Sequence, residues 1–266
     1  CCINWAYSRT EPVAVVGACI MPKFLLRIQF DGRNFCGSQM QKNGRTVQGE
    51  LRRTLGRIFG TFSDLAGCSR TDSGVHALDY CVSFAAETRM DCSMIQKALN
   101  ANLSADLAVV QVLLVPENFH ARYDVVSKEY VYRIRISPVR SPFWEGLALQ
   151  DVYSADLGQL NRGASLLVGT HDFSSFMAAG SKITDPVRTV VSAGFERNGD
   201  LLLFRVRADG FLYHMVRIMV GTLLAVPRKY PAEQIRLILQ GKNRKLAGPT
   251  APACGLYLEH VFYDRI

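Results

Sequence analysis

SDLAGCSRTDSGVHALDYCVSF, Ser63 to Phe84, is the stretch on which the fold turns. Two strand-like runs, Ser63 to Arg70 and Leu78 to Phe84, stand back to back with no helix between them. In the second, Leu78, Tyr80, Val82 and Phe84 alternate with Asp79, Cys81 and Ser83, the period of a half-buried strand. Upstream, Thr46 reads as the N-cap of a helix whose Val47, Leu51, Leu55 and Ile58 recur at helical spacing. Before it, KFLLRIQF (Lys23 to Phe30) reads as a strand ending at Asp31-Gly32. Downstream, Asp91 caps a second expected helix carrying Met94, Ile95, Ala98 and Leu99, and Leu107 to Val115 follows as a buried strand. The order is β-α-β-β-α-β, the split βαβ unit.

The rest of the chain repeats that order without detectable sequence similarity. Lys128 to Ile136 is a strand with Tyr130, Tyr132, Ile134 and Ile136 on one face, and Leu157, Leu160, Ala164 and Leu167 mark a helix after Ser154. Thr189 to Arg197 and Leu201 to Arg207 form a hairpin across Asn198-Gly199, a strong turn signal. A helical run from Phe211 to Val226, a second helix after Pro231 and a closing strand from Leu256 to Tyr263 complete the unit. The expectation is an α/β (α+β) protein of two tandem halves, residues 21–122 and 123–266, joined near 120–126. No Gly/Ser/Pro linker separates them, so the sheets are expected to merge side by side.

Composition narrows the function. The 266 residues are 48% hydrophobic and carry a net charge of +8. Such a basic chain suits a polyanionic partner, although charge also serves solubility. The eight cysteines are scattered with no C-x-x-C metal spacing, and read as reduced thiols in a cytoplasmic protein. Residues 1–20 lack the basic segment of a signal peptide and read as a disordered or non-native extension before Met21. No run reaches the ~18 apolar residues that span a bilayer.

Asp72 stands just after a strand-like run and before Ser73-Gly74, a turn that can aim its carboxylate into a cleft. Arg70 would share its face if the strand continued. The competing reading is a turn aspartate capping its own backbone. Arg217 interrupts FLYHMVRIMVGTLLAV, apolar almost all round, so its guanidinium must find an acceptor such as Asp72 or snorkel to solvent. Tyr130 reads as core or as a cleft residue. His76 cannot share a helical metal-binding face with Asp72 across Ser73-Gly74, and no P-loop, dinucleotide or zinc-deaminase motif is present. Lys42 and Arg45 in one loop, with Lys242, Arg244 and Lys245 in another, are either solvated surface or part of a duplex-tracking groove.

These residues resemble a known family. SRTDSGVHA is similar to the G-R-T-D-A-G-V-H signature of the tRNA pseudouridine synthase A family, the tRNA pseudouridine(38-40) synthases. NANLSADLAV, VPENFHARYDVVSKEYVYRI, GTHDFSSF, HMVRIMVGTLL and GLYLEHV resemble later family motifs in family order, from about Lys23 to the C-terminus. The resemblance implies two ferredoxin-like halves sharing a long antiparallel sheet. It also implies an isomerase that makes pseudouridine in the anticodon arm of tRNA as a homodimer, with no cofactor and no metal. By motif position Asp72 matches the catalytic aspartate, Tyr130 the active-site tyrosine and Arg217 the arginine paired with the aspartate. Arg70 matches an arginine associated with extruding the target base.

Some positions depart from the family pattern. Ser69 and Ser73 replace Gly and Ala. In FCGSQMQKNG, Ser38 and Met40 stand where an aromatic and an Arg are frequent, which removes an expected stacking surface and a phosphate contact. Two function classes follow from the residues: the enzyme, and a non-catalytic RNA-binding protein on the same fold, for which Asp72, Tyr130 and Arg217 would be needless.

Overall fold

The computed structural model describes residues 21–152, 156–181, 183–229 and 231–264; the expectation about residues 1–20 lies outside them. The first half runs β1 (Lys23–Phe30), α1 (Val47–Phe59), β2 (Ser63–Gly67), β3 (His76–Ala85), α2 (Cys92–Asn102) and β4 (Leu107–Val115). The second runs β5 (Val125–Ile136), β6 (Leu149–Asp151), α3 (Leu157–Ser165), β7 (Gly169–Asp172), β8 (Val187–Asn198), β9 (Leu201–Ala208), α4 (Met215–Lys229), α5 (Gln234–Gly241) and β10 (Leu256–Tyr263).

The described strands form one sheet in the order β4-β1-β3-β10-β5-β9-β8-β7, with β2 on β3 and β6 on β5. Its pairings are antiparallel except β3 with β10 and β5 with β6. The two halves have matching orders, β4-β1-β3-β2 and β10-β5-β9-β8, the ferredoxin-like arrangement twice over. They meet where His76 and Ala77 pair with Tyr257 and Leu258, and the His76 ring stacks on Tyr257 at 4.4 Å. One continuous core crosses this seam. In α1, Val47, Leu51 and Leu55 are fully buried, each worth about 1.5–3 kcal/mol relative to exposure. Thr46 Oγ1 accepts the Gly49 N–H, a cap worth ~1 kcal/mol.

Several boundaries differ from the sequence expectation, three of them for a visible reason. The strand expected to reach Arg70 stops at Gly67, whose missing Cβ makes room for the Tyr80 hydroxyl. Helix α4 begins at Met215, not Phe211, because His214 sits in the left-handed region at φ 59° and breaks the helical path. In the β8–β9 hairpin Asn198 pairs with Leu201, so the turn is Gly199-Asp200, one residue later than expected. The short strands β6 and β7 carry too little alternation to be read from sequence.

Candidate active site

The segment between β2 and β3 leaves the sheet as a braced loop. Ser38 Oγ accepts the Thr71 N–H at 2.8 Å and donates to Ser69 O at 3.4 Å, and the Ser38 N–H donates to Thr71 O at 3.2 Å. Gly37, at φ 90°, allows this approach: a Cβ there would lie 2.6 Å from Thr71 O. Ser38 is fully buried, so this position stabilises the Asp72 loop and is not a missing surface for RNA. Met40 is 57% exposed and lines the cleft described below. The Val75 N–H closes a turn onto Asp72 O at 3.2 Å just before β3 begins.

That carboxylate meets the second half of the chain. Arg217 Nη1 donates to Asp72 Oδ2 at 3.0 Å, and His214 Nε2 lies 3.3 Å from the same oxygen. Both partners come from the start of α4. Arg217 occupies its first turn, not mid-helix, with a side chain only 16% exposed. The Ala251 backbone fixes Arg217 twice: the side-chain Nε–H donates to Ala251 O at 2.8 Å, and the Ala251 N–H donates to Arg217 O at 3.1 Å. Gly221 lets segment 248–251 lie this close, since a Cβ there would overlap Pro249 O. The described hydrogen bonds leave Asp72 Oδ1 without a partner. The turn-cap reading of Asp72 therefore does not describe its side chain, which faces Arg217 and His214.

Tyr130 sits on β5, 6% exposed, its hydroxyl 3.3 Å from Ser69 Oγ and its ring edge-on to Phe211 at 5.0 Å. Burial raises the phenol pKa, partly offset by the Ser69 hydrogen bond, and Cys68 and Asp72 raise it further. The hydroxyl thus keeps its proton well above neutral pH. Burial lowers the His214 pKa and outweighs the opposing pull of Asp72, with Arg217 and Arg244 also lowering it. A neutral imidazole must then carry its hydrogen on Nε2 to donate to Asp72. His214 was missed from sequence, because its link to position 72 runs through the fold and its spacing carries no signal.

Asp72, Tyr130 and His214 line a cleft of about 1100 Å³ together with Arg70, Arg122 and Lys128. Asp72 is the sole carboxylate among the described lining residues. Arg70 is exposed and makes no ion pair among the described residues. The other basic candidates divide. Arg45 is committed internally: it donates to Glu50 at 2.8 Å and Asp106 at 2.6 Å, bonds Ser104, and lies over the Phe35 ring at 4.2 Å. Arg244 donates to Gly248 O at 2.9 Å and Thr250 Oγ1 at 3.1 Å. Lys242 pairs with Asp172 at 3.0 Å and Lys245 is exposed; neither lines the cleft, whereas exposed Lys42 follows the lining residues Met40 and Gln41.

Comparison with known proteins matches this arrangement to a family. Residues 27–124 and 164–264 match the family model described as tRNA pseudouridine synthase. The chain belongs to the tRNA pseudouridine synthase family. A relative in Anoxybacillus flavithermus, named tRNA pseudouridine synthase A, is 43% identical over 92% of this chain and 100% of its own. Proteins of the same name in Exiguobacterium sibiricum and Halalkalibacterium halodurans are each 42% identical, over 92% and 89% of this chain and 98% and 90% of theirs. A solved chain of a Cbf5-Nop10-Gar1 complex overlays at a TM-score of 0.36 and 13% identity, covering 90% of this chain and 50% of that one, too faint a likeness to argue from.

Proposed function

We propose that the protein isomerises uridine to pseudouridine in the anticodon stem-loop of tRNA, at positions 38–40, with Asp72 as the catalytic group. The observation that carries this reading is Asp72 itself. It is a carboxylate held through Oδ2 by Arg217 and His214, in a cleft whose described lining has no other carboxylate and includes Arg70, Arg122, Lys128 and Tyr130. A uridine stacked in a stem cannot reach Oδ1, so the nucleotide leaves the stack at a cost of a few kcal/mol. Stacking on Tyr130, worth about 1–3 kcal/mol per base, offsets that cost. Arg70, exposed on the same loop, takes the place vacated in the stem.

In the reaction the N1–C1′ bond breaks and the uracil turns. C5 then bonds C1′, the C5 proton leaves and the freed N1 takes up a proton, so substrate and product are isomers. A carboxylate has three entries: attack at C6, attack at C1′, or removal of the C2′ proton. Oδ1 acts in each, while Arg217 and His214 stabilise the carboxylate charge in a water-poor site. The protonated Tyr130 hydroxyl, in the same cleft, would relay the C5 proton, accepting it as its own passes on.

The same family resemblance is the support for a homodimer and for a cytoplasmic location. The test of function is direct. An unmodified tRNA transcript incubated with the protein is expected to gain pseudouridine within the anticodon stem-loop, read at nucleotide resolution from carbodiimide adducts. A transcript bound but unchanged would favour the non-catalytic RNA binder.

A further inference from the structure

The connection between the halves is unusually well braced for a surface segment. The N–H groups of Tyr123 and Asp124 both donate to His120 O at 3.1 Å, and the His120 N–H donates to Asp124 Oδ2 at 2.8 Å. The Arg122 N–H donates to His120 Nδ1 at 3.1 Å. Buried Ala121 ties the segment to both halves: its N–H donates to Ser83 Oγ at 3.2 Å, and its carbonyl accepts from the Tyr263 hydroxyl at 2.6 Å.

This bracing holds up a ring that the protein itself does not bury. Tyr123 is 75% exposed, set against the His120 ring at 4.3 Å and the Arg122 guanidinium at 5.8 Å, and it lines the same cleft as Asp72. Two strand positions before Tyr130, and so on the same face of β5, stands Lys128, which also lines that cleft. Neither Lys128 nor Arg122 has an ion-pair partner among the described residues; burial, with Arg122 adding to it, lowers the Lys128 pKa, while burial raises that of the Cys68 thiol. A half-buried ammonium without an acceptor is costly, and an anionic ligand in the cleft would supply the acceptor that the described residues do not. A flat exposed ring beside two unmatched cations fits one chemistry: a nucleobase with its phosphodiester.

We infer that residues 120–128 form a second nucleotide subsite, for the residue neighbouring the extruded uridine on the same RNA strand. Tyr123 stacks on the neighbouring base of that strand, which is drawn out of the stack with the uridine, and Arg122 with Lys128 holds the adjoining phosphate oxygens. Because every base has a π-face, the subsite tolerates any base and supplies grip without sequence choice. The inference rests on the function proposed above, and it adds where the rest of the loop is held.

The experiment measures binding of an unmodified tRNA transcript to the full chain across a salt series, with transcript carrying 2-aminopurine beside the target uridine as a stacking probe. Tyr123→Ala is expected to weaken binding about 5- to 150-fold and to abolish quenching of the probe, while Tyr123→Phe restores both. Arg122→Gln and Lys128→Met should each lower the slope of log affinity against log salt by about 0.7–0.9, the value of one phosphate contact. Wild-type affinity and quenching in Tyr123→Ala, or unchanged slopes in both cation variants, would overturn the subsite. Failure of the wild-type chain to form pseudouridine would instead contradict the proposed function, a result read in a separate assay.

Discussion

At Asp72 two donors share one oxygen and leave the other to the cleft, so the pairs at Oδ2 decide whether Oδ1 is presented at all. Replacing Arg217 with Met removes the Asp72 contact and the Ala251 contact together. The expected cost is about 1–3 kcal/mol in a denaturant titration, with turnover lost as well, because a partly buried carboxylate is left uncompensated. Unchanged stability would contradict the packing described here. His214 separates function from stability. Its φ of 59° costs a non-glycine residue roughly 1 kcal/mol, which His214→Gly relieves while deleting the imidazole. That variant should keep or gain thermal stability and still turn over more slowly; a slower enzyme that is also strongly destabilised would make His214 merely structural. The pairing of Asp72 with Arg217 was open from sequence, since an apolar helix with one arginine demands an acceptor. His214 was not, because its partner is far away in sequence and the left-handed backbone that aims it leaves no trace in periodicity.

Among the elements, the loop before α1 owes its shape to Arg45. Its guanidinium ties Glu50 on α1 to Ser104 and Asp106 ahead of β4, which is why a residue that reads as a surface cation from sequence is spent inside the protein. Hydrogen bonding from Arg45 holds Asp106 well below the ordinary carboxylate range, against the opposing effect of burial. A depressed carboxylate contributes stability that is complete above its unfolded pKa of about 3.9 and lost as pH falls through the folded value. Asp106→Asn is therefore expected to cost about 1–3 kcal/mol near pH 7, with the gap to wild type closing below about pH 4. A gap independent of pH would exclude the charge as its source. Strand and helix identities followed from period and caps, as at Thr46 and Asp91. Boundaries failed where tertiary contacts overrode local pattern: at Gly67, where Tyr80 takes the space a side chain would fill, and at the start of α4.

The whole molecule places its chemistry on a seam. Asp72 comes from the first half, Tyr130 and Arg217 from the second, and the short parallel pairing of β3 with β10 fixes them in register. The repeat of β-α-β-β-α-β was legible because each half carries its own patterned strands. The cleft was not, because Arg122, Lys128 and His214 converge only when the halves join, and the charge of +8 gives no positions. With that cationic lining, affinity for a tRNA transcript should fall at least tenfold between 50 and 200 mM salt, as for about three or more phosphate contacts. Salt-independent binding would mean that the cleft is not the RNA surface. The most direct measurement is tritium release from C5-labelled tRNA by Asp72→Asn, beside wild type and with RNA binding measured in parallel. Release is expected at background with RNA still bound; release at a rate comparable to wild type would contradict Asp72 as the catalytic group.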